Sequence, residues 1–145
     1  MVRSETSVLV INGLKGISER DPVYQGILQA AEYLKANLMP GDKVLPLDDV
    51  GMANHSMLLA EAETASYYPY EIVFGFLETS FPNSKYMHDI HKDYVKRFSE
   101  VRPRFVIDFS GARHFPELEE SLGLDYTKIP IEHGIIYERK KNCKR

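Results

Sequence analysis

The sequence predicts a single α/β domain: a three-layer sandwich around a mostly parallel, Rossmann-like sheet that closes in a C-terminal antiparallel hairpin. Three observations predict it. The first is that Asp21 to Asp49, DPVYQGILQAAEYLKANLMPGDKVLPLDD, spells an amphipathic helix, a turn and a short apolar strand. The second is that Arg104 to Ser110, RFVIDFS, is a continuous apolar run with polar ends, the pattern of a strand covered on both faces. The third is that helical and strand patterns alternate along the chain, which sets crossover helices on the faces of a parallel sheet.

Asp21 is a good N-cap, and Pro22 sits at the first helical position, where its missing N–H costs nothing. Val23, Ile27, Ala30, Ala31, Leu34 and Leu38 then recur at three- and four-residue steps, an apolar helical face. Pro40-Gly41-Asp42 stops the helix, and Lys43–Leu47 reads as a strand. Within it, Pro46 argues for a strand that is truncated at Leu45, bulged or peripheral. Gly51–Glu63 suits a short helix, and Ala65–Tyr70 an aromatic edge strand limited by Pro69. Glu71–Leu77 is ambiguous between strand and helix, and Phe81–Ser84 is a turn.

Lys85–Glu100 carries Tyr86, Met87, Ile90, Tyr94, Val95 and Phe98 on one side of a helix that Arg102-Pro103 ends. After the Arg104–Ser110 strand, Phe115–Leu122 is a short helix with Pro116 in its first turn and Gly123 beyond its end. Tyr126–Ile131 and Ile135–Glu138 are strands around His133-Gly134, a terminal hairpin. Residues 1–20 read as a linker or N-terminal arm, 21–140 as the domain, and 141–145 as a basic tail.

Composition narrows the function classes. The chain has 145 residues, 43% hydrophobic and 27% charged, enough for one domain with a real core. A net charge of −3 gives no pull toward phosphate backbones, so no nucleic acid partner is expected. Mean hydropathy is −0.31, and no apolar run approaches the roughly 20 residues of a membrane helix. The single cysteine, Cys143, allows no internal disulfide and stands in the basic tail without a positioned base. That tail reads first as a solvated end, and as a contact for anionic lipid head groups in the sharper reading.

No G-x-G-x-x-G or phosphate-loop pattern follows either apolar strand, and no cofactor is expected. His88 and His91 lie one helical turn apart with Asp89 and Asp93 nearby, a pattern that a solvated helix face explains better than a metal site. The best binding constellation is at the strand ends. Asp48, Asp49 and His55 follow the first apolar strand; Asp108, Ser110 and Arg113 follow the second. If those strands are neighbours, the two groups face each other across a crevice of the kind in which α/β sheets bind ligands. The competing reading makes the aspartates turn and cap residues.

The residues also resemble a family. DPVYQGILQAAEYLKANLMPGDKVL resembles the segment after the last membrane helix in C-type (GT-C) integral-membrane glycosyltransferases, where such a helix opens a small soluble α/β domain. ASYYPY is similar to the aromatic segment that follows there, RPRFVIDFS to its "RP-x-(F/Y)-(I/V)-(I/V)-D" strand, and PELEESLGLDYTKI…GIIYERK to its closing elements. The resemblance covers Asp21 to Lys140 and rests on the order and spacing of these motifs. It implies a lipid-linked sugar donor and catalytic acidic residues in an upstream membrane part that this chain lacks, so no catalytic residue is expected here.

The expectation is therefore an extracytoplasmic accessory domain, non-catalytic by itself. Its partners would be the membrane-embedded transferase portion or the membrane surface, with a sugar or glycolipid acceptor. The rival is a stand-alone cytoplasmic α/β enzyme or small-ligand binder using the strand-end residues; a structural interaction module is the third.

Overall fold

The computed structural model describes residues 21–47, 51–66, 80, 84–109 and 116–141. The order of elements is α1 (Pro22–Asn37), β1 (Lys43–Leu47), α2 (Met52–Leu59), β2 (Glu63–Thr64), α3 (Lys85–Val101), β3 (Phe105–Asp108), α4 (Pro116–Asp125), β4 (Tyr126–Ile131) and β5 (Gly134–Arg139). The five strands form one open sheet in the order β2-β1-β3-β5-β4.

Strands β2, β1 and β3 are mutually parallel, whereas β5 runs antiparallel to both β3 and β4. This corrects the mostly parallel, Rossmann-like sheet of the sequence reading. The terminal hairpin does not stay at an edge; its second strand inserts beside β3, and antiparallel pairing covers more residues than parallel pairing does. The two-residue turn at Glu132-His133 makes β5 antiparallel to β4. The fold is a mixed α/β sheet with four helices among the described residues.

Side-chain alternation along the strands produces two apolar clusters. Val44, Phe105, Ile107 and Ile136 join Ile27, Ala30 and Leu34 of α1 and Ala53 and Met57 of α2. Leu45, Leu47, Val106 and Tyr137 join Ile90, Tyr94 and Phe98 of α3 and Leu118 and Leu122 of α4. Each helix thus meets the sheet by a 3.6-residue face. Tyr86, expected on the apolar side of α3, is instead 66% exposed.

Asp21 caps α1 as expected, its Oδ1 accepting from the Val23 amide at 2.9 Å. Pro46 does not truncate β1 or make it peripheral: the strand runs to Leu47 between two neighbours, with Pro46 opposite Ile107. The reason is local. Lys43 and Leu47 accept bonds from β3-side amides, whereas Val44 accepts from Ala65 on the β2 side. Alternation turns the Pro46 nitrogen toward β2, whose ladder stops at Val44↔Thr64, so the missing N–H falls where no strand asks for it.

Strand β2 lies just before the predicted Ala65–Tyr70 strand, although Ala65 still bonds to β1. Residues 67–70, the ambiguous Glu71–Leu77 segment, the Phe81-Pro82-Asn83 turn, the residue 1–20 arm and Cys143 lie outside the described residues. Helix α4 corrects another expectation, since it runs through Gly123 to Asp125 instead of ending before that glycine. Strand β4 is an edge, and it carries Lys128 and Pro130, residues that discourage further strand pairing.

Candidate functional site

Because β1 and β3 are adjacent and parallel, their C-terminal ends share one sheet edge, and Leu47 stands opposite Asp108 in register. The chain leaves β1 for β2 on one side and returns to β3 on the other, packing α2 and α3 into different clusters. The β1–β3 junction is therefore the point where the winding reverses, the position at which open α/β sheets form a crevice.

Of the six residues predicted there, Asp108 and His55 are described; Asp48, Asp49, Ser110 and Arg113 lie outside the described residues. Asp108 is 7% exposed at the end of β3. Its charge is felt by Tyr137, whose phenol is pushed above its ordinary value first by burial and then by the carboxylates of Asp108 and Glu119. His55 is exposed on α2, its ring edge-on to Tyr24 at 5.8 Å between centroids. Asp108 follows Val106 onto the α3–α4 face, whereas α2 lies on the other. The two residues share an edge of the sheet but are not brought onto one face.

The histidine pair of α3 is likewise spread out. His88 is exposed, His91 lies 3.5 Å from Glu117, and Asp93 accepts from Arg97 at 2.9 Å. No group of three or more ligating side chains is placed to hold a metal ion among the described residues.

A second polar assembly, which the sequence reading missed, lies at the opposite edge. Arg104 donates from Nη2 to Glu138 Oε1 at 2.6 Å and from Nη1 to the Arg139 carbonyl at 3.2 Å. Tyr33 of α1 donates to the other Glu138 oxygen at 2.6 Å and packs edge-on against Phe105. Arg139 in turn donates to the Arg102 carbonyl. A hollow of about 420 Å³ opens here, between Met39 and Asp42 on one wall and Arg102, Arg104, Arg139, Lys140 and Lys141 on the other. A neighbouring hollow of about 530 Å³ is lined by the α1–β1 turn and by Ala60–Glu63. The signal was present in the two basic runs, RPR before β3 and ERKK at the end of β5. Only the Phe105↔Glu138 antiparallel register joins them.

The Tyr33 phenol is pushed up to about 12, by burial first and then by its bond to the Glu138 carboxylate, with Arg104 opposing. A raised folded value stabilises the fold below the ordinary value of 10.0, and that contribution is lost as pH climbs through about 12. Tyr33→Phe should therefore flatten the loss of stability between these two pH values by about 1 kcal/mol, a figure kept small because solvent screens the half-buried phenol. Urea titrations of both proteins across that pH range check this.

No protein-family model, curated protein or solved structure matches this chain at a significant level.

Proposed function

We propose that the chain is the soluble accessory domain of a membrane glycosyltransferase that draws on a lipid-linked sugar donor, lies on the extracytoplasmic face, and is non-catalytic by itself. One observation supports the reading: apart from ASYYPY, whose residues 67–70 lie outside the described residues, the motifs quoted above each fall on an element or turn of the fold. DPVYQGIL opens α1, PGD is the turn into β1, RPRFVID is the corner into β3, and GIIYER is β5. We also take the two helix pairs, α1 with α2 and α3 with α4, as the outer layers of a three-layer sandwich.

The arrangement suits a domain that holds an acceptor. Helix α1 begins at the edge where β1 and β3 end, since Tyr24 in its first turn meets His55 near the start of α2. The strand-end crevice and the start of α1 thus share one side, which would turn a bound sugar or glycolipid toward the membrane portion. The reading frame upstream of Met1 tests the proposal. Eight or more hydrophobic spans in frame are expected, whereas initiation at Met1 from its own ribosome site would overturn it.

The buried carboxylate of Asp108 at the winding reversal favours a second reading, a stand-alone enzyme or small-ligand binder working at the crevice. Calorimetry with nucleotides, nucleotide sugars and divalent cations separates the two. The accessory-domain reading expects no micromolar binding at the strand ends. Micromolar binding that disappears in Asp48→Asn or Asp108→Asn would promote the rival.

A further inference from the structure

We propose that the basic hollow at the edge remote from the crevice is a binding site for a phosphate group. This inference does not rest on the transferase reading; a failed binding experiment would leave that reading to be decided by the upstream reading frame. Five cations line the hollow: Arg102, Arg104, Arg139, Lys140 and Lys141. They gather in a chain whose net charge is −3, so the hollow runs against the overall field.

Two carboxylates beside the hollow are hydrogen-bonded within the chain. Glu138 takes Arg104 and Tyr33, and Asp42 on the facing wall accepts the Met39 amide at 3.0 Å. Positive charge remains in surplus, and a concave surface concentrates it on whatever enters.

Two guanidinium groups are held in place before any ligand arrives. The Arg104 side chain is 14% exposed, fixed by Glu138 and the Arg139 carbonyl, and Arg139 is fixed by the Arg102 carbonyl. A guanidinium has five N–H donors in a rigid fork, so one or two internal bonds leave others for an oxyanion. Charge-assisted bonds from forks already oriented are the strong kind for phosphate. Lys140 and Lys141 are exposed at the mouth, where they add attraction at longer range; Lys140 also donates to the Leu124 carbonyl at the end of α4.

Arg102 supplies an independent observation. It follows α3 with φ +47°, and its amide donates to the Phe98 carbonyl at 2.9 Å. That is the left-handed position after a helix where glycine is favoured, since a Cβ is strained there. A long cationic side chain thus stands at a left-handed position beside four other cations, and its role there can be tested by replacing it with the residue the backbone favours.

The chemistry is that of a phosphate mono- or diester, and it fits a soluble phosphate compound as well as an anionic lipid head group. The experiment separates the sources. The full chain, labelled with nitrogen-15, is titrated with inorganic phosphate and pyrophosphate at constant ionic strength. In parallel it is sedimented with phosphatidylcholine vesicles that contain or lack phosphatidylglycerol.

The expected result is saturable shifts centred on Arg102, Arg104 and Arg139–Lys141, or sedimentation that depends on phosphatidylglycerol. The first identifies a soluble ligand, the second a head group. Arg102→Gly should weaken binding by about tenfold, the loss of one charge-assisted bond, with the melting temperature unchanged or higher because glycine relieves the left-handed strain. Lys140→Gln with Lys141→Gln should weaken it severalfold, and decides the matter if Arg102→Gly folds poorly. Absence of both saturable shifts and lipid-dependent sedimentation would overturn the proposal. So would binding that these variants leave unchanged.

Discussion

Ile107→Ala is expected to lower the free energy of unfolding by about 2–5 kcal/mol. Ile107 is 0% exposed in the central strand β3, opposite Pro46 on one side and Ile136 on the other. Its side chain packs into the cluster that α1 and α2 close, with Leu34, Val44 and Phe105 among its members. Truncation removes three carbons from a site whose walls are two hydrogen-bonded strands and two helices, which collapse poorly onto a void. Ile107→Val, losing one methylene, should cost only about 0.5–1.5 kcal/mol. Urea titration of the three proteins measures the series, and a loss below about 1 kcal/mol for alanine would mean that β3 is not the centre of the core.

Gly26→Ala is expected to destabilise by about 2–3 kcal/mol, although alanine is the better helix former. Gly26 is buried on α1 where that helix crosses the β4–β5 turn. A Cβ there would lie 2.0 Å from the Glu132 carbonyl oxygen and 3.2 Å from the Phe109 ring. The obstacle is backbone, so a rotamer change cannot relieve it. The helix must lift away, which also breaks the bond from the Glu132 amide to Gln29 Oε1. Gly123 in α4 is the control, with nothing within 4 Å of an added Cβ. Gly123→Ala should instead gain up to about 1 kcal/mol from helix propensity alone. Thermal or urea melts of the two variants should therefore move in opposite directions. If Gly26→Ala were also stabilising, the close approach of α1 to the hairpin would be wrong.

The same two glycines mark how far local patterns reach. Nothing in the letters around Gly26 distinguishes it from a neutral position in an amphipathic helix; its role comes from a carbonyl more than a hundred residues later in the chain. Gly123 looked like a stop signal because glycine is common after helices, yet α4 runs through it to Asp125. A glycine inside a helix costs only about 1 kcal/mol, too little by itself to end one.

Local chemistry alone determined the helix from Asp21 onward, the apolar strand before Asp108, the hairpin and the alternation of elements. Each rests on contacts within a few residues: a cap, a periodicity, a turn. It also singled out the ends of β1 and β3 as the place to look for a site. Tertiary structure alone decided the position of β5 between β3 and β4, the harmless placement of Pro46 and the meeting of Arg102 and Arg104 with Arg139–Lys141. It also decided that Asp108 and His55 occupy one edge but opposite faces. The reason is physical. Strand order and direction are set by which pairings bury the most surface and satisfy the most backbone groups across the whole sheet, and no window of neighbouring residues contains that information.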